Sequence, residues 1–261
     1  MHSKEDKLAA FSKLLDVMDD LRAKCPWDKK QTFDSLKNNT IEETYELIEA
    51  IGEHDMQKIK KELGDVLLHI IFYAKMGSEI GSFDIKDVCS ELIEKLIFRH
   101  PHIYGDVKAE TSEQVKQNWE ELKLKEKDGN KRVLSGVPMA LPATIKAVRI
   151  QEKAASIGFD WEDRKQVWDK VREEISEFES EIEQGDMDKM EAEMGDVFFA
   201  LINAARLYGI NPENALEMTN KKFIRRFNYL EDHTIKQGQR LKDMSLAEMD
   251  LIWEKAKSNG L

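Results

Sequence analysis

The chain has 261 residues, of which 41% are hydrophobic and 35% charged, with a formal net charge of −11 and two cysteines, Cys25 and Cys89. That length suits one large domain or two modest ones, and the longest apolar run, near 66–74 and interrupted by His69, is far shorter than the roughly 20 residues of a membrane span. Two cysteines without a CxxC pair make neither a disulfide framework nor a thiolate metal site, the acidic balance argues against a free-standing nucleic-acid binder, and the charged start MHSKEDKLAAF has no apolar signal core, so a cytoplasmic location is expected.

Strand-like alternation is absent, and Pro26, Pro101, Pro138, Pro142 and Pro212 all avoid the interiors of the long periodic segments. Apolar spacing of three to four predicts an all-α chain. Helices are expected at 4–24, 40–53, 56–80, 85–99 and 112–126. Thr40 followed by Glu43 has capping-box spacing and marks the start of the second helix. Gly52, Gly81 and Gly209 fit helix ends. The turn-rich stretch 127–141, KDGNKRVLSGVPMAL, reads as a linker. Further helices are expected at 142–157, 164–184, 187–208, 212–237 and 245–258. The predicted organisation is a helical domain over 1–126, the linker over 127–141, and a second helical domain over 142–261.

The two halves repeat each other. IEETYE at 41–46 answers to REEISE at 172–177, and KELGDVLLHIIFYA at 61–74 to AEMGDVFFALINAA at 192–205. Glu43 and Glu174, Glu46 and Glu177, Glu62 and Glu193, and Asp65 and Asp196 are each 131 positions apart. Lys95 and Arg99 recur as Lys222 and Arg226, and Trp119 recurs as Trp253. Acidic, basic and tryptophan features in the same order argue for duplication.

Glu174 and Glu177 lie three apart, as do Glu193 and Asp196, so each pair shares one helix face. The turn signal Gly185–Asp186 makes the two helices antiparallel neighbours, and four carboxylates then face one another. Such a set repels itself unless a cation is bound. All-oxygen donors suit Mg²⁺, with Mn²⁺ as a substitute, over Zn²⁺. A di-iron bundle normally needs Glu-x-x-His pairs, whereas this chain has Glu-x-x-Asp. Glu-rich helices are usually solvated faces; recurrence on successive helices in both halves favours the metal reading. Gly64 and Gly195, inside the ExxD segments, point either to close approach of a substrate or to helix packing.

Lys222 and Arg226 lie four apart and can hold phosphate; alone they are an ordinary basic face, and the matching Lys95 and Arg99 favour phosphate. Trp253 and Trp119 are either base-stacking or core residues, while Trp27 and Trp161 read as loop anchors. Asn203, two turns after Asp196, can contact substrate or sit satisfied between helices; Phe72 takes its place in the first half. His69, with Ala200 as its counterpart, reads as a core histidine. A polar site in the second half and an apolar ring in the first make the second half the better catalyst. Neither a phosphate-binding GxxxxGK[ST] loop nor a GxSxG elbow occurs, which leaves metal-activated water as the nucleophile.

EExxE followed by ExxD, with CPWDKKQTF at 25–33, RHPHIYGD at 99–106 and the tandem arrangement, resembles the MazG family of nucleoside triphosphate pyrophosphohydrolases in its two-domain bacterial form. The resemblance implies tandem MazG-like helical domains that assemble into four-helix-bundle-like units, usually through a homodimer. It implies Mg²⁺-dependent cleavage of nucleoside triphosphates between the α and β phosphates, with broad base tolerance and the main activity in the second domain. Carried over by motif, Glu174, Glu177, Glu193 and Asp196 are the metal-binding and catalytic set, and Lys222, Arg226 and Trp253 take nucleotide-binding positions, beside Asn203. Glu43, Glu46, Glu62 and Asp65, with Lys95, Arg99 and Trp119, form the matching set for a second site. Neither nucleic acid nor membrane is an expected partner. The competing reading is a nucleotide-sensing or protein-binding helical scaffold without turnover, and a redox di-metal protein stands third.

Overall fold

The computed structural model describes the chain except for residues 109–110, 112–113, 116–117, 120–121, 123–131, 237 and 239, and no described residue is in a strand. The chain divides into two compact units, Met1–Glu110 and Thr111–Leu261.

In the first unit, α1 (Lys4–Lys24), α2 (Phe33–Glu53), α3 (Met56–Glu79), α4 (Ile85–Arg99) and the single turn α5 (Pro101–Tyr104) follow in order. The second helix begins before the predicted residue 40. Thr32 caps it: its hydroxyl accepts from the Ser35 amide at 3.1 Å, and the Ser35 hydroxyl accepts from the Thr32 amide at 2.8 Å. Thr40 therefore sits inside α2, where its hydroxyl lies 2.8 Å from His69 Nδ1 and 2.6 Å from the Tyr73 hydroxyl on α3. Gly52 is also inside α2, and the left-handed position that ends the helix belongs to His54, at φ 57°. Asp55 then caps α3 by accepting from the Gln57 and Lys58 amides. The two-residue turn sets α2 and α3 antiparallel. Met18, Leu36, Ile71, Phe72 and Met76 form the buried core, with Phe11, Leu14 and Tyr73 packed around them. Each such side chain contributes about 1.5–3 kcal/mol by leaving water.

The second unit has a 3-10 turn at Val133–Gly136, then α6 (Ala143–Ser156), α7 (Val167–Gln184), α8 (Met187–Leu207), α9 (Pro212–Lys236) and α10 (Leu246–Ser258). Gly185, at φ 75°, occupies the place that His54 has in the first repeat and closes α7, and Asp186 caps α8 by accepting from the Lys189 amide. A β-carbon is disfavoured in that left-handed region, which is why glycine stands there. Val167, Val171, Ala200 and Ala204 are buried between α7 and α8. Their one-turn spacing and small size bring the two backbones close. Helix α6 also packs on α8, and α10 packs on α9.

The remaining predicted helices agree with these bounds to within three residues at each end. Within the predicted helix 112–126, Gln114, Val115, Asn118, Trp119 and Leu122 are helical, and the rest lies outside the described residues. Residues 127–131 of the predicted linker and residue 237 also lie outside them.

Candidate active site

Helices α7 and α8 run antiparallel, so residues about two to three turns from Gly185 on one helix face their equivalents on the other. Glu174, Glu177 and Glu193 each offer a carboxylate oxygen, and these oxygens lie within 4.8 Å of one another. Glu174 is buried, Glu193 half-buried and Glu177 exposed. The crowding raises the Glu177 pKa above the ordinary carboxylate value, through the side-chain hydrogen-bonding interaction with Glu174 first, then desolvation, then repulsion from Glu174. Carboxylate oxygens crowded this closely are a fitting donor set for a hard divalent ion. The Lys170 ammonium lies 2.7 Å from Glu174 and 2.8 Å from Glu173, and these hydrogen bonds push its pKa up, so it stays charged. Sequence reasoning missed Lys170, although its position one turn before Glu174 was a usable signal.

Asp196 stands apart from that tight trio and lines an adjoining cavity of about 610 Å³ together with Glu174 and Lys170. Asn203 and Arg206, further along α8, line it too. The Asn203 side-chain oxygen accepts from Arg206 Nε at 3.0 Å and Nη2 at 2.8 Å, and Arg206 Nη1 donates to Asp160 at 3.0 Å. The carbonyl end of Asn203 is thus committed to Arg206. Trp161, read from sequence as a loop anchor, is exposed and lines the cavity beside Phe159. Trp27 is likewise exposed, at 59%, and anchors no core in its unit. Nothing lies within 4 Å of where a β-carbon would stand on Gly195 or Gly64. Packing inside either unit therefore does not account for these glycines.

The family model for the MazG nucleotide pyrophosphohydrolase domain matches the chain twice, over residues 31–104 and 163–230. The chain belongs to the MazG family. It is 41% identical over 254 residues to the nucleoside triphosphate pyrophosphohydrolase of Escherichia coli, across 95% of this chain and 97% of that protein. It is 42% identical over 250 residues to the nucleoside triphosphate pyrophosphohydrolase/pyrophosphatase MazG of Thermotoga maritima, across 95% of each chain. A Bacillus subtilis protein, uncharacterized protein YabN, is 48% identical over 260 residues, which are 97% of this chain and 53% of that protein.

The first MazG repeat has an acidic cluster of its own, in which Glu43, Glu62 and Asp65 offer oxygens within 4.8 Å of one another. Glu62 is buried, and its Oε2 has no hydrogen-bond partner. Burial first, then the charges of Asp65, Glu46 and Glu62, raise the Glu43 pKa. Glu46 itself is exposed and outside the trio. Lys61 pairs with Glu62 at 2.9 Å and Asp65 at 3.5 Å. Phe72, the counterpart of Asn203, is buried in the core, with the Arg22 guanidinium carbon 5.5 Å from its ring centre. His69 is buried, and its pKa is lowered by burial against the opposing pull of Asp65; it is held by Thr40 as a core residue.

The basic and aromatic residues of the second MazG repeat gather away from the cavity wall. Lys222 is exposed on α9, Arg226 Nε donates to the Leu261 carbonyl at 2.7 Å, and the Arg226 guanidinium carbon lies 5.9 Å from the Trp253 ring centre. Trp253 also meets Phe223, with ring centres 5.0 Å apart. None of Lys222, Arg226 and Trp253 lines the cavity. Lys95 on α4 is exposed and Arg99 half-buried; Trp119 is half-buried and falls in the second unit, not the first.

Proposed function

We propose that the second unit hydrolyses nucleoside triphosphates to monophosphates and pyrophosphate, using a divalent cation, Mg²⁺ or Mn²⁺, held by Glu174, Glu177, Glu193 and Asp196. The observation that carries this reading is the convergence of three carboxylates within 4.8 Å beside a cavity large enough for a nucleotide. The activity named for the Escherichia coli and Thermotoga maritima relatives is consistent with it. When bound, the cation neutralises carboxylate and phosphate charge and acidifies a coordinated water.

The chain's own residues supply the rest. Glu174 is held in place by Lys170 and keeps a ligand oxygen aimed at Glu177 and Glu193. Lys170, fixed as a cation, faces the cavity and balances charge that develops on phosphate oxygens as the α–β bond breaks. The empty space beside Gly195 leaves room for the polyphosphate to approach α8. Lys222, Arg226 and Trp253 lie on α9 and α10, and we assign them to the nucleotide of a site completed by a second copy of the chain. Exposed apolar residues on these helices, among them Phe223, Ile224 and Leu251, support a homodimer. No helix among the described residues is long and apolar enough to cross a membrane, and a cytoplasmic location is part of this proposal. Broad base tolerance is part of it as well.

The first unit keeps a cation-binding trio but fills the Asn203 position with a buried ring, so we assign turnover to the second unit. The test is pyrophosphate release from a panel of ribo- and deoxyribonucleoside triphosphates with Mg²⁺ and with EDTA, on the full chain and its Glu62→Gln and Glu193→Gln variants. Release that requires the metal and is lost only in Glu193→Gln is expected. Saturable nucleotide binding without release would establish the scaffold reading instead.

A further inference from the structure

The cavity lining combines two kinds of chemistry. Carboxylates and Lys170 supply one, and the α6–α7 loop, with Phe159 and Trp161, supplies the other together with Gln151 of α6. Gln151 is 5% exposed. Its Nε2 donates to the Phe199 carbonyl on α8 at 2.9 Å. That bond fixes which way the amide faces, because a flipped amide would set oxygen against oxygen. Its Oε1 is buried and has no hydrogen-bond partner. A buried acceptor left unpaired is costly, and natural proteins leave few of them unless something else fills the role.

Other side-chain acceptors of that lining, those of Asp160 and Asn203, already have hydrogen-bond partners. Both Asp160 oxygens and the Asn203 side-chain oxygen are taken by Arg206. Phe159 is 81% exposed and Trp161 39%, so aromatic faces stand open at the cavity mouth. Phe199, whose carbonyl orients Gln151, follows Asp196 by three residues, about 4.5 Å of helix rise. A flat, partly polar group bound here would be joined to phosphates lying against the carboxylates.

We propose that Gln151 is a specificity-determining residue that reads the nucleobase, its Oε1 accepting a hydrogen bond from an amino group on the base edge while Phe159 and Trp161 pack against the ring. The inference rests on the nucleoside triphosphate reading of the acidic site. Gln151, Phe159 and Trp161 all precede the second family match, which begins at residue 163. The proposal does not conflict with turnover of several bases, since one hydrogen bond grades substrates without excluding any.

The experiment compares ATP with purine riboside triphosphate, which has the same ring shape and lacks the 6-amino group. Turnover is read as kcat/KM, and binding is read by calorimetry with the α,β-methylene analogues of both, which cannot be cleaved at that bond. The wild-type chain is expected to favour the adenine compounds by about 3- to 10-fold in both readouts, the worth of one net hydrogen bond. Gln151→Leu is expected to bring both ratios close to one, with kcat for ATP little changed and KM raised. Gln151→Met, unbranched and close in volume, repeats the measurement if leucine unfolds the unit. A preference that survives in a folded Gln151 variant, or is absent from the wild type, overturns the proposal. Discrimination in binding without any turnover would sink the hydrolase reading and leave the base reading standing.

Discussion

Replacing Glu193 by Gln removes one of three mutually repelling carboxylates while keeping the side chain's shape. Glu193 and Glu174 oxygens lie within 4.8 Å of each other. Two unit charges at that distance repel by about 0.9 kcal/mol even at the dielectric of water, and by more at a buried site. Lys170 offsets part of this at Glu174, so about 1 kcal/mol is the working figure. For a unit of this size that is about 2–4 °C in melting temperature. Glu193→Gln should therefore melt higher than wild type in EDTA. In Mg²⁺ the order reverses, because the wild type gains the binding free energy of the cation and the variant loses a ligand. Both proteins carry Glu62→Gln in this comparison, so that the first unit's trio does not contribute its own response. Turnover in the variant should fall at least about 100-fold, the usual scale for losing one key electrostatic group. Thermal melting with EDTA and with Mg²⁺, alongside pyrophosphate release, reads all three effects. A variant that melts no higher in EDTA, still gains stability from Mg²⁺ and turns over near the wild-type rate would refute the shared-cation site.

The first unit supplies further tests. Ile71 is 1% exposed in the core, and Ile71→Ala should cost about 2–5 kcal/mol in urea unfolding of that unit; a loss below about 1 kcal/mol would mean the core is not packed as described. Thr40→Val leaves His69 and Tyr73 without their shared hydroxyl and should cost about 1–3 kcal/mol, more than Tyr73→Phe, which keeps the Thr40–His69 contact. Arg22 Nε donates to Glu79 at 2.9 Å, and this bond holds the Glu79 pKa below its ordinary 4.5. A lowered folded value means the pair stabilises fully above the unfolded pKa and fades as pH falls through the folded one. The stability gap between wild type and Glu79→Gln should accordingly be open at about pH 7 and narrow as the pH falls through the lowered folded value; a gap independent of pH would show that the pair contributes through packing instead.

Helix positions were readable because an amphipathic period survives any arrangement of neighbours, and in the structure local caps such as Asp84 and Ser245 set several of the ends. The start of α2 was misplaced for a physical reason. Thr40 and Glu43 have capping-box spacing, but so do Thr32 and Ser35, and the earlier pair wins because helix then continues through residue 40. Thr40 was instead claimed by a contact 29 residues away, which no local pattern contains. The same limit explains Trp161. Its neighbours in sequence suggest an anchor, and only the packing of α6 and α7 on α8 leaves its ring at a cavity.

The sequence alone determined the class, the duplication and the carboxylate pairs, since residues three apart on a helix share a face whatever surrounds them. Tertiary structure decided which of those carboxylates converge: Glu174, Glu177 and Glu193 close to within 4.8 Å, Asp196 opens onto the cavity, and Glu46 faces solvent. It also decided that Gln151 meets Phe199 across 48 residues. The reason is geometric: a helix fixes direction within one element, while the distance between two elements depends on the small residues between them, here Val167, Val171, Ala200 and Ala204.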